Sequence, residues 1–369
     1  MDINEVSNVK EFAEYLKEHL FDDRPDLAEH NEVVINEVTK NNGMVLQGLT
    51  IKNDESNIAP TIYVDDSFKR FERGESIDDV IDNLVKTFED HRTPQNISVE
   101  FFTDFDQVKD RLAMKVVNAD KNAEMLEGCP HFKFGDLAAI FQVQVDSSEF
   151  GNAVITVKDE HMNMWGVDAN ELMAHARENM EERQPVHIQS MLEVLRDMMG
   201  GEMPEEMMGG PEPAMYVMTN ESKINGAAAM VFTDKLQEFA ESHETNFFIL
   251  PSSIHEILLI PDNGEMDVEQ LTSMVREVND TQVSPDEVLS YNVYFYDKDE
   301  KQLMLAETKE PMELKEASKD KKAPEKKDPE KAEKPKSIKD RMNEGKAKVA
   351  QQDAEPKMPK TKSKGVEIE

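Results

Sequence analysis

Asn246-Phe247-Phe248-Ile249-Leu250-Pro251-Ser252-Ser253-Ile254-His255-Glu256-Ile257-Leu258-Leu259-Ile260 is two apolar runs joined by a Pro-Ser-Ser break. Each run has strand length, and Pro and Ser are ordinary turn residues, so Asn246–Leu250 and Ile254–Ile260 read as the arms of a hairpin. Val268–Asn279 follows with helical spacing, and Asn292–Tyr296 and Gln302–Leu305 form a last pair of strands. Upstream, Ala214–Met218 reads as a strand and Ala227–Ser242 as a helix. Strands adjacent in sequence, with helices between the groups, give an α+β fold of mainly antiparallel sheets and packed helices rather than a doubly wound parallel sheet.

The first half of the chain repeats this alternation. Val6, Val9, Phe12, Ala13, Leu16 and Leu20 make a helical stripe over residues 4–20, with Asn4 or Ser7 as its cap. Val33, Ile35 and Val38 alternate up to Asn41-Asn42-Gly43, and Met44, Leu46, Leu49 and Ile51 follow. Asn-Gly between two such runs is the strongest short-range hairpin signal. Ile58–Val64 reads as a further strand that Pro60 confines to an edge or a strand start. Ser76 caps a helix through about His91, Asp104 opens a short one, and Leu112–Val117, Phe141–Val145 and Ala153–Val157 read as strands. Asp168 caps a helix through Arg183 that buries Leu172, Met173, Ala176 and Met180; Pro185 is expected to start another, with Ile188, Met191, Leu192, Leu195 and Met199 inward.

Gly and Pro crowd residues 200–213, which read as a linker or loop between an N-terminal α+β region, 1–199, and a C-terminal α+β domain, 214–306. Residues 307–369 turn to Lys, Glu and Pro and are expected to be a disordered tail, since no aromatic remains after Glu310 to offset the entropy of ordering. Within it, Ser337 caps a possible short helix over 338–352, too weakly striped to fold without a partner.

Charge follows the same division. Of 42 basic and 77 acidic residues, 311–369 hold 17 and 13, leaving a net of −39 on the first 310 residues. Such a surface repels phosphates and disfavours direct nucleic acid binding. One cysteine, Cys129, excludes an intrachain disulfide framework. The N-terminus lacks the basic and apolar regions of a secretory signal, and no uninterrupted apolar run reaches membrane-spanning length, so the expected setting is the cytoplasm, away from membranes.

Ser252, Ser253, His255 and Glu256 put a hydroxyl pair, an imidazole and a carboxylate in five residues, the types used in nucleophilic catalysis. Triad members usually meet from separate segments, however, and no glycine motif of a nucleophile elbow accompanies these, so the stretch reads as a turn. An enzyme with a site there would need His91, His131, His161 or a distant carboxylate within hydrogen-bond reach. Glu171, His175 and Glu178, with Glu182, share one helical face, but the order is not the Glu-x-x-His of carboxylate-bridged metal sites and no second pair matches it. They read as a solvated face. Cys129-Pro130-His131 reads as a structural turn, because adjacent side chains seldom face each other. No phosphate-cradling loop, H-E-x-x-H or calcium loop is present, so no catalytic residue, cofactor or metal is assigned. Eight of the 23 methionines fall within 191–218 and read as core and loop cover rather than as an adaptable surface.

Three stretches carry a resemblance: Asn42-Gly43-Met44-Val45-Leu46-Gln47-Gly48-Leu49-Thr50-Ile51 with Ile58-Ala59-Pro60-Thr61-Ile62-Tyr63; Tyr216-Val217-Met218-Thr219-Asn220 with Gly226-Ala227-Ala228; and Leu250–Glu256 with Met274-Val275-Arg276-Glu277-Val278-Asn279. With them, residues 1–306 resemble a bacterial family of unknown function met mostly in Gram-positive anaerobes, often near mobile genetic elements. The resemblance implies no activity, ligand or catalytic residue, and it makes the Ser252–Glu256 turn a family feature. Three functions are then open. A non-enzymatic interaction or adaptor protein with an unidentified protein partner leads; an enzyme of unrecognised class around residues 251–256 and an acidic mimic of nucleic acid aimed at a DNA-binding protein follow.

Overall fold

The structure, a computed structural model, describes residues 2–53, 56, 59–91, 100–145, 154–200, 215–251, 253–264 and 266–316. The expected tail helix over 338–352, Ser252 and most of 200–213 lie outside the described residues.

The N-terminal layer is a meander covered by helices. Val9–His19 (α1) and Pro25–Ala28 (α2) lead into Asn31–Thr39 (β1), Val45–Asn53 (β2) and Thr61–Tyr63 (β3), which pair antiparallel in that order; Asp65–Glu72 (α3) and Ile77–His91 (α4) follow. The α1 cap is Asn8, one residue past Ser7: Asn8 accepts the Glu11 amide (3.0 Å), and the Ser7 amide and hydroxyl both donate to the Glu11 carboxylate (2.8 Å each). As expected, Ser76 caps α4 through the Asp79 amide (3.1 Å). Phe12, Leu16, Leu49, Ile51, Val80 and Phe88 form the dry centre of this layer.

The middle layer opens with Phe105–Val108 (α5), capped by Asp104, then Leu112–Asn118 (β4), Ala123–Leu126 (α6), His131–Phe134 (β5), Leu137–Gln144 (β6) and Val154–Thr156 (β7). Asp159–Trp165 (α7) and Ala169–Arg183 (α8) complete it, and α8 buries Ala169, Leu172, Ala176 and Met180 against the sheet. The C-terminal layer holds Val186–Ser190 (β8), Met191–Met198 (α9), Tyr216–Asn220 (β9), Thr233–Ser242 (α10), Phe247–Leu250 (β10), Ile257–Pro261 (β11), Val268–Thr281 (α11), Tyr294–Asp297 (β12) and Gln302–Leu305 (β13), and the chain then returns to the middle sheet with Lys315–Glu316 (β14). All pairings are antiparallel: β13-β12-β10-β11-β9-β8 form one sheet, and β14-β5-β6-β4, with β7 on β6, form another. The fold is therefore α+β, with mainly antiparallel sheets and packed helices.

Three expectations differ. Residues after Pro185 form a strand before they form a helix, because Val186, Ile188 and Ser190 alternate on one face and pair with β9; the helix begins only at Met191, where Ser190 and Glu193 make a capping box. The predicted helix over 227–242 splits into a buried 3-10 segment, Gly226–Val231, and α10. Strand β8 precedes the 200–213 stretch and β9 follows it, yet they pair, and one core cluster runs from Val108 to Met312. The regions on either side thus share a sheet and a core, and all described residues fall in one compact unit.

The body also extends beyond 306. Met312 is buried, its amide donates to the Leu303 carbonyl (2.8 Å), and β14 pairs with β5. An aromatic-free segment folds here because Met312 reaches the core, while Leu314 stays exposed. A chain ending at Leu305 is expected to lose about 2 kcal/mol against one ending at Glu316 in denaturant titration. Equal midpoints and slopes for the two would show that 306–316 adds nothing.

Candidate functional site

The turn between β10 and β11 is held by hydrogen bonds from two sides. Its two ends are held by the segment before β12: the Ile254 amide donates to the Glu287 carbonyl (2.9 Å), and the Ser290 amide to the Pro251 carbonyl (3.1 Å). Ser253 bridges to Val288. On the other side, the Thr219 hydroxyl donates to the His255 carbonyl (2.8 Å), and the Ala227 amide to the Ile254 carbonyl (3.2 Å).

His255 is the centre of this clasp. The Asn225 amide donates to Nδ1 (3.2 Å), so that nitrogen carries the lone pair and the proton of the neutral ring sits on Nε2, which faces Glu287 Oε1 at 3.3 Å. Both side chains are part exposed, 31% and 45%, so the pairing contributes little stability. Ser253 Oγ accepts the His255 amide (3.0 Å) and makes no bond to the ring. Glu256 is exposed. The structure thus brings a distant carboxylate to His255, as an enzyme would require, but both ring nitrogens are occupied and the hydroxyl serves the backbone. A general base needs a free lone pair within reach of the nucleophile's proton.

Four residues that the sequence did not single out complete the site. Glu287 and Asn225 hold the ring, and Gln142 on β6 accepts from the Asn225 amide group (3.3 Å). Lys115 lies half-buried in β4; burial pushes its ammonium pKa down, and Asp286 and Glu287 push it back up. A lysine inside the apolar run Leu112–Val117 was the visible signal.

The remaining candidates stay apart. Glu171 caps onto Asp168 through its amide (2.9 Å), His175 lies edge-on to Phe105 (5.6 Å) and Glu178 is exposed. Among the described residues no group of three or more His, Cys, Asp or Glu is placed to hold a metal ion. Cys129 is buried, and burial pushes its thiol pKa up, the opposite of an activated thiolate. His131 donates through Nδ1 to the Cys129 carbonyl (2.8 Å), so the two side chains do not meet. His161 caps the Lys158 amide (3.0 Å) against Phe102 and Trp165, and His187 pairs with Glu221 on the surface.

The hairpin tip carries the other convergence of chain segments. Asn42 and Gly43 both adopt positive φ, 61° and 67°, as an Asn-Gly turn allows. The Asn42 amide donates to Asn122 Oδ1 (2.8 Å), and its side chain donates to the carbonyls of Pro285 (2.9 Å) and Val288 (2.7 Å). The tip of the N-terminal meander thereby locks onto the segment that holds the His255 turn.

These are the stretches through which the chain is related to other proteins. The profile of DUF5688, a family of unknown function, matches residues 9–298. The chain belongs to this family. The DUF5688 match takes in the Asn42 tip, Gly226, the 251–256 turn and Glu287, and stops before β13. No curated protein and no solved structure matches the chain. No helix among the described residues is long and apolar enough to cross a membrane.

Proposed function

We propose that this DUF5688 protein is a non-enzymatic interaction protein, an adaptor of the cytoplasm whose acidic body offers the binding surface to a protein partner. The observation that carries the reading is α9. Its N-terminus is fully capped by Ser190 and Glu193, yet none of its residues is buried. Leu195 and Met198 are 37% and 79% exposed, and Met199 just beyond is 50% exposed. The methionines of this region were expected to be core and loop cover; Met191 is half-buried, but Met198 and Met199 lie on an exposed apolar surface of the kind that takes a partner. The occupied ring of His255 supports the same reading, because it leaves that turn a scaffold role. The buried thiol of Cys129 fits a reducing compartment.

The test is affinity capture from lysate by the full chain and by the Leu195→Glu/Met198→Glu/Met199→Glu variant. The wild type is expected to retain a specific protein that the variant retains at least about tenfold less, a change that corresponds to about 1.4 kcal/mol. Equal retention by both would remove α9 from the interface, and retention of nothing by either would sink the adaptor reading. Loss of capture between about 50 and 200 mM salt would instead favour a nucleic acid mimic, for which the net charge of the first 310 residues is the supporting feature.

A further inference from the structure

The six-stranded sheet has two edges, and the chain treats them differently. At β13 the segment 310–312 lies alongside: the Leu305 amide donates to the Glu310 carbonyl (3.0 Å), the Met312 amide donates to the Leu303 carbonyl (2.8 Å), and Met304 bridges to Pro311. At β8 no strand among the described residues covers the edge. β8 reads Val186-His187-Ile188-Gln189-Ser190 and has neither Lys nor Pro within it, the devices that commonly blunt an open edge.

The register shows which backbone groups face outward. The Met191 amide donates to the Met215 carbonyl (3.0 Å), so in the antiparallel ladder Gln189 and His187 exchange bonds with Val217 and Thr219. Val186, Ile188 and Ser190 turn their amides and carbonyls away from the sheet. The Ser190 amide is taken by the Glu193 carboxylate (2.9 Å), which leaves Ile188 and Val186 to present the open edge.

Beside this edge runs a groove of about 410 Å³ between β8 and α10. The side chains of Val186 and Ile188 form one wall, and Tyr216, Phe239 and His243 form an aromatic floor. The Tyr216 ring stands edge-on to Phe239 (5.1 Å) and to His243 (4.8 Å). Its rim holds the ion pair of Lys235 with Glu238 (2.9 Å) and Glu193, which Ser190 engages, on a body whose first 310 residues carry a net charge of −39. A groove of this size beside an unpaired strand is suited to a peptide, whose backbone adds to the sheet while alternate side chains enter the pocket.

We propose that the groove between β8 and α10 takes an extended segment of a partner protein, apolar and basic at alternate positions, which pairs with the free edge of β8 as an added strand. The proposal rests on the interaction reading above and specifies its partner. Backbone bonds to Ile188 give the register, an apolar side chain fills the space over Tyr216 and Phe239, and Lys or Arg residues meet the acidic surface.

The probe is a fluorescein-labelled heptapeptide, Lys-Val-Lys-Phe-Lys-Val-Lys, titrated with the full chain and followed by anisotropy. Its comparators are the same residues with the lysines grouped at one end, the version with Glu for every Lys, and a version N-methylated at alternate amides. Saturable binding below about 100 μM is expected, with losses of about tenfold or more for the N-methylated and Glu peptides. Ile188→Pro deletes one outward amide without touching the bonds to β9 and is expected to weaken binding similarly, with an unchanged circular dichroism spectrum. Equal binding of the N-methylated, grouped or Glu peptide overturns the proposal, as does no binding up to about 1 mM. So does a concentration-dependent dimer that Ile188→Pro dissociates, since β8 would then be covered by a second copy. If capture still depends on Leu195 and Met198 while no peptide binds, the groove is wrong and the adaptor reading stands; if both fail, both fall.

Discussion

Gly226→Ala is expected to cost about 4 kcal/mol and to lower the melting temperature by roughly 8 °C or more in a body of this size. A Cβ at this position would lie 2.1 Å from Thr219 Oγ1, 2.4 Å from the His255 carbonyl oxygen and 2.9 Å from the Asn220 amide nitrogen. Two of these are backbone atoms, which have no rotamer to escape into. Moving them means breaking the bond from Thr219 to the His255 carbonyl and pushing the 253–256 turn off the Glu287 segment. The cost is therefore overpacking plus lost hydrogen bonds, each of which contributes roughly 1 kcal/mol. Denaturant titration of the full chain measures it. A midpoint within about 0.5 kcal/mol of the wild type would mean that the strand, the turn and the 3-10 segment are not clasped as described. Gly74, whose Cβ would meet nothing within 4 Å but whose φ is +101°, is the control: it tests backbone strain without crowding, and alanine there is expected to cost less.

The crowding at Gly226 is not legible in the residues around it, and the reason is general. Local features were legible: the Asn-Gly hairpin at 41–43, the capping residues Ser76, Asp104 and Asp168, and the α+β order of elements are each set by residues a few positions apart. What escaped depends on residues far apart in the chain. Gly226 matters because of Thr219 and His255, and His255 because of Glu287, which lies 32 positions on. Residues 186–190 misled because a short stretch can satisfy both a helical and an alternating pattern; pairing with β9 decided between them. The role of Met312 does not show in the composition of the tail, because it comes from a single side chain buried against Gly135. At the candidate site, the stretch 251–256 reads locally as a turn, and the partners that converge on it, Thr219, Asn225 and Glu287, are set by pairings that no local pattern reveals.

Asp136→Ala is expected to be as damaging as the glycine substitution, about 4 kcal/mol, by the opposite route of removing an acceptor rather than adding an atom. Asp136 sits at the tip between β5 and β6 and reaches across to the other sheet. Its Oδ1 accepts from the Tyr294 hydroxyl (2.8 Å), and its Oδ2 accepts from the Ser290 hydroxyl (2.6 Å) and from the Asn118 side chain (3.4 Å). Tyr294 and Ser290 are both completely buried, so without the carboxylate their hydroxyls have no water to turn to. Leaving a buried donor unsatisfied costs about 1–3 kcal/mol, and here two are orphaned at once. Ser290 transmits the loss, because its hydroxyl also accepts the Asn292 amide (3.0 Å) and its carbonyl accepts from Asn279 (2.8 Å). Tyr294→Phe removes one donor and leaves the carboxylate its other partners, so about 1 kcal/mol is expected, and Asp136→Ala on that background should cost about 1–2 kcal/mol less than alone. A pH series gives a second readout. Burial, and then the charge of Asp136, hold the Tyr294 pKa well above 10 in the folded protein. The unfolded tyrosine ionises first, so stability is lost as pH rises above 10, and Tyr294→Phe should remove part of that slope. Strict additivity of the two substitutions, with an unchanged alkaline slope, would mean that Asp136 and Tyr294 do not act together, and the tie between the two sheets would have to come from apolar packing alone.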